Sequence, residues 1–304
     1  MINVAIQPMA GQSEDFSHLD RTGRAVAGVG LKPRFVVLAA LTGAVLLAWL
    51  LLAGMAIRSA QAGLAGAGNG LLQELPAIPL PGFLERFVAL CVGPIPFQAY
   101  SASEFAALAM MWFLMAVATM LPSAAPMIRT YCEIVDTAFT KGEPAVHPLM
   151  LVAGYLTVWL IASLAFAGLT LGFRVSTLGG QTFDPASGIV AAMLLGIAGA
   201  YQFSSLKEAC LKKCRRPFSI LFARWSERPE RIFKLGAEQG LWCIGCCWAL
   251  MLVMFAVGIM NLFWMALLGL FALLEKQVHG HISSRIAGAI LLVWAGALLL
   301  VSLY

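Results

Sequence analysis

Long apolar runs separated by short polar stretches set the rhythm of this chain. Seven runs can be drawn, at roughly 35–57, 104–138, 147–172, 187–211, 237–257, 259–275 and 284–303. Each approaches the roughly 20 residues that an α-helix needs to cross the hydrocarbon core of a bilayer. No period-two alternation recurs over ten-residue segments, as it would in a membrane barrel. The pattern predicts an all-α, polytopic membrane helix bundle of about seven transmembrane helices. Within the second run, MLPSAAPMI carries Pro122 and Pro126. Proline lacks an N–H and crowds the carbonyl four residues back, so a kink or break is expected there.

The polar stretches supply the remaining organisation. Residues 1–33 are polar and of mixed charge, too long and too polar to begin a cleaved signal sequence. They predict a cytoplasmic N-terminal tail ahead of a membrane domain at 34–304. Residues 58–103 predict an external loop, because LPAIPLPGF and GPIPF are too rich in proline for continuous helix. Residues 215–236 predict a basic, amphipathic cytoplasmic loop. In it Phe218, Leu221, Phe222 and Trp225 follow helical spacing, with Arg224 and Arg228 off the stripe. That pattern suits a helix lying on anionic lipid headgroups, and a plain anchoring connector accounts for it nearly as well.

Composition agrees: 61% of residues are hydrophobic and 12% charged, against about 25% charged in soluble domains. The net charge of +5 is explained by orientation, since cytoplasmic loops retain Lys and Arg. With the N-terminus inside and the C-terminus outside, the inner side holds all 20 Lys and Arg except Arg58, Arg86 and Arg174. The expected setting is a bacterial-type inner (plasma) membrane, with the lipid bilayer as partner and no support for nucleic-acid binding. Walker, GxGxxG, HExxH and GxSxG motifs are absent, so no catalytic residue is predicted and an enzyme is not the favoured class.

The chemistry lies in the sulfur. GLWCIGCCWALMLVMF (240–255) places Cys243, Cys246 and Cys247 at i, i+3 and i+4, on one helical face. Met251 and Met254 continue that stripe over about 16 Å. LKEACLKKC adds Cys210 and Cys214, again four apart, at the same predicted membrane side. Cys132 falls on that side as well, and Cys91 is the exception among the seven. A reducing compartment argues against structural disulfides. Thiolates are soft ligands for Cu(I), Zn(II) or iron centres, and thioethers favour Cu(I). The spacings are not those of a zinc ribbon or a ferredoxin. Buried cysteine also serves as a small hydrophobe, so packing alone is the bland alternative.

Other features carry less. Met110, Met111, Met115, Met120 and Met127 do not share one face, although a thioether route across the membrane is conceivable with Met251, Met254, Met260 and Met265. Asn261 is expected to bond between helices. Glu104 and Glu275, at span ends, are expected to reach water.

MLPSAAPM (120–127), YQFSSLKEACLKKCRRP (201–217), GLWCIGCCWALM (240–251) and MNLFWMALLGLFALLEK (260–276), in this order, resemble a family of predicted metal-binding integral membrane proteins grouped as a domain of unknown function. The resemblance covers roughly 104–303. It implies a multi-span helical protein with a metal site whose ligands would be Cys210, Cys214, Cys243, Cys246 and Cys247. The reading that follows is a membrane protein binding, moving or delivering a soft metal ion, Cu(I) before Zn(II) or iron, with Met251 and Met254 as weaker ligands. Its partner would be a metalloenzyme or metallochaperone. A membrane thiol–disulfide electron-transfer protein and an accessory subunit of a larger membrane complex are the alternatives.

Overall fold

The computed structural model describes residues 33–61, 102–175, 188–259, 261–278 and 280–303, with residues 5–6 and single positions at 74, 82 and 85. Most of the expected N-terminal tail and of the 58–103 loop, with Cys91, Met260 and His279, lie outside the described residues. The helices are α1 (Pro33–Gln61), α2 (Ala102–Thr140), α3 (Leu149–Val175), α4 (Gly188–Tyr201), α5 (Ser205–Cys214), α6 (Pro217–Ala223), α7 (Pro229–Val257), α8 (Leu262–Gln277) and α9 (Ile282–Leu303). A two-residue strand from the tail, β1 (Ala5–Ile6), pairs antiparallel with β2 (Ala145–Val146) in the turn between α2 and α3.

Among the described residues, five helices are long and apolar enough to cross a membrane: α1, α2, α3, α7 and α9. Counting α4 and α5 together across their 64° bend makes six. Against the expected seven, the described residues thus hold five or six candidates by length and composition, because α8 has 16 residues and the run at 187–211 is not one helix. It ends in tight turns, with Gln202, Phe203 and Ser204 each donating its amide to the carbonyl three residues back. Ser204 then accepts from the Lys207 amide and starts α5 in a new direction.

The opposite departure occurs in α2, which runs unbroken through Pro122 and Pro126. Pro122 deprives the Ala118 carbonyl of its helical donor, and Trp49 Nε1 of α1 donates to that oxygen at 3.0 Å. The Met120 carbonyl accepts from Ser123 Oγ at 2.7 Å and from Tyr155 Oη at 3.0 Å. A neighbouring helix thus replaces the backbone donor that Pro122 removes, which is how proline is tolerated in apolar helices.

The loop expected at 215–236 is shorter than its sequence suggested. Pro229 occupies the first turn of α7, where its missing N–H costs nothing. The predicted apolar stripe also divides. Leu221 is buried and Trp225 packs against Tyr131, whereas Phe222 is 73% exposed. At the start of α8, Asn261 accepts from the Trp264 amide as an N-cap.

The centre of the bundle is α2 and α7, of whose apolar windows 67% is buried against 17% in α1 and α9. Outer helices turn Leu46, Leu50, Val293 and Leu300 outward, an apolar surface suited to lipid. The Arg34–Glu133 pair runs α1 against α2. Close approaches at Gly188–Ser302 and Gly199–Gly288 set α4 against α9. Successive long helices reverse direction, so the α2–α3 turn, the α5–α7 connection and the α8–α9 turn gather at one end.

Candidate metal site

Close packing of α3 on α7 creates the site. A Cβ on Gly154 would stand 2.0 Å from the Phe233 carbonyl oxygen, and one on Gly236 2.0 Å from that of Leu151. At Gly240 it would meet the Val158 side chain at 2.9 Å. Gly236 and Gly240 form a small-xxx-small pair that lets two backbones touch, as in membrane helix packing. The contact sets Tyr155 beside Cys243, with Tyr155 Oη 3.1 Å from Cys243 Sγ.

Helix α8 completes the arrangement with its last turn. Lys276 Nζ donates to Cys243 Sγ at 2.9 Å and to Ser123 Oγ at 2.6 Å. Ser123 Oγ and Tyr155 Oη both donate to the Met120 carbonyl. A closed hydrogen-bonded ring therefore joins α2, α3, α7 and α8 around one cysteine sulfur. A backbone carbonyl of α2 supplies its acceptor, and the glycines supply its phenol.

The cysteines expected to act together are brought to one region, where Cys246 interacts with the side chains of Cys214, Cys243 and Cys247. Cys246 and Cys247 fold back, their thiols donating to the Cys243 carbonyl at 3.0 and 2.9 Å. Cys214 of α5 interacts across the interface with Cys246. Cys210 lies over Gly245, where a Cβ would come within 2.6 Å of its sulfur. Met251 and Met254 are buried further along α7. Among the described residues, no group of three Cys, His, Asp or Glu side chains is arranged to hold a metal ion.

A cavity of about 260 Å³ opens beside the ring. Of the five predicted cysteines, Cys214 and Cys243 line it, and Met127 adds a thioether. Arg215, Gln239 and Lys276 line it too. That donor set is soft, two thiols and a thioether, and fits Cu(I) better than a hard cation.

Lys276, Tyr155, Ser123, Gln239 and Arg215 escaped sequence reasoning. The available signals were a lysine closing the long apolar run of α8 and a serine set between two prolines. Glu275 corrects an expectation. Rather than reaching water, its side chain is 2% exposed and pairs with Lys207 Nζ at 2.8 Å, Lys207 being 2% exposed as well. Ser284 Oγ donates to the same carboxylate at 2.5 Å, and Lys207 Nζ also donates to Gln202. Arg215 donates to the carbonyls of Glu275 and Gly280, holding the end of α8 and the turn after it.

Residues 109–298, more than half of the chain and spanning α2 to α9, match a protein-family model described as PpoB2, copper chaperone. No curated protein and no solved structure matches the chain.

Proposed function

The chain belongs to the PpoB2 copper-chaperone family, and we propose from that membership that it is a multi-pass membrane protein handing Cu(I) to a metalloenzyme. Copper here is cargo. Its landing point is the cavity where Cys243 and Cys214 present thiols and Met127 a thioether, and this juxtaposition is the observation that carries the reading. Two or three soft donors suffice for Cu(I) and leave it exchangeable. Cys246, Cys247 and Cys210 stand behind the cavity as further thiols, and Met251 and Met254 as donors deeper along α7. In this reading α4–α5 and α8 complete seven crossings of a bacterial-type inner membrane. The cavity end faces the cytoplasm, where thiols stay reduced, and the basic residues of the connections keep it there.

The test is copper content of the purified protein in detergent after loading under reducing conditions. About one Cu(I) per chain is expected. A protein in which Cys214 and Cys243 are both changed to Ala, still folded by circular dichroism, loses it, whereas Cys210→Ala keeps it. Absence of copper from the parent protein after reconstitution, or its full retention by the double variant, would overturn the reading.

A further inference from the structure

The charge around the cavity is the wrong sign for a bare cation. Among the described residues its lining includes the ammonium of Lys276 and the guanidinium of Arg215, and no carboxylate. The nearest acidic side chain in sequence, Glu275, is spent on Lys207 and Ser284. Lys276 Nζ lies 2.9 Å from the very sulfur that a metal would take. Like charges at such separations repel strongly where water is scarce. A concave site lined by one sign of charge draws in ligands of the other sign. Tyr155 and Gln239 add hydrogen-bonding capacity to the same wall, and the volume admits a small organic molecule as well as a metal ion.

Resting on the copper-handling reading, we propose that the cavity receives copper as an anionic Cu(I) complex of a small, carboxylate-bearing thiol. Lys276 and Arg215 bind the carrier's carboxylates while its copper faces Cys243 and Cys214. Transfer is a ligand exchange without change of oxidation state. The copper–sulfur bond to the carrier breaks as one to Cys243 forms, and the proton released by the Cys243 thiol leaves on the carrier's sulfur. Lys276 is thus a specificity-determining residue, selecting the form in which the metal arrives.

The experiment compares loading of the detergent-solubilised full chain from Cu(I)–mercaptosuccinate, which is anionic, and from Cu(I)–mercaptoethanol, whose carrier has no carboxylate. Both complexes are presented at equal copper and equal buffered affinity. Loading from the anionic carrier should be at least about tenfold faster, the low end of the range for electrostatic focusing, with the advantage shrinking as salt rises. Lys276→Met should bring the ratio of the two rates close to one, and Lys276→Arg should preserve most of it. Equal rates in the parent protein with full copper uptake would overturn this inference and leave the copper reading intact. So would a ratio unchanged by Lys276→Met. Failure to retain copper from either carrier would instead overturn the copper reading. The parent protein's ratio and salt dependence decide the matter even if Lys276→Met does not fold.

Discussion

Replacing Glu275 by Gln should be among the most damaging single changes in the protein, although the residue touches no cargo. The new side chain keeps the shape and can still accept from Ser284, but it leaves the Lys207 ammonium without its counter-charge. At 2.8 Å and an effective dielectric constant of 20, the lost Coulombic attraction is about 6 kcal/mol. Part of that only offsets the desolvation of the two ions, so the pair as a whole contributes little. Removing one partner leaves a buried charge uncompensated, at a cost of about 3–5 kcal/mol. Gln202 still accepts from Lys207, which places the expected loss at the lower end, about 3 kcal/mol. Replacing both Lys207 and Glu275 by Met removes both charges, and the loss in the double variant should be smaller than the sum of the two single Met losses by about 2 kcal/mol or more. Unfolding by SDS titration in mixed micelles, run as a double-mutant cycle, measures this. A loss below about 1 kcal/mol for Glu275→Gln, or a coupling near zero, would show that water reaches the pair and that the argument from burial is wrong.

Two other changes test how the site is positioned. Trp49→Phe withdraws the donor that serves the carbonyl freed by Pro122, and should cost about 1–3 kcal/mol. In a Pro122→Ala background, where the backbone amide is restored, the same change should cost clearly less; equal costs in the two backgrounds would refute the assignment. Gly236→Ala drives a methyl group into the Leu151 carbonyl and should cost about 3 kcal/mol or more by overpacking. It should also separate Tyr155 from Cys243, so that a maleimide labels Cys243 faster than in the parent; unchanged labelling and stability would disprove the backbone contact.

How far the sequence announced this arrangement depends on which interaction is asked about. Long apolar helices are written in a one-dimensional property, runs of apolar residues, and α1, α3 and α9 lie close to where hydropathy places them. Helical spacing also puts Cys243, Cys246 and Cys247 on one face. But a face is an arc, and which part of it meets a cavity is decided by the neighbouring helix. Gly236 and Gly240 turn α7 so that Cys243 meets Tyr155, while Cys246 and Cys247 spend their thiols on the helix's own carbonyl. GAEQG could have been read as a close-packing signal, yet nothing local says that α3 answers it with Gly154. The prolines mislead for a related reason. The effect of Pro122 on α2 depends on Trp49, which lies on α1 and donates to the carbonyl that the proline frees. Lysine is the hardest case. Lys207, Lys212 and Lys276 all serve the same orientation argument, and only tertiary structure separates a solvated charge, a buried ion pair and an ammonium bound to a thiol. The lysine whose ammonium meets Cys243 was therefore visible from the start, but as one positive charge among many.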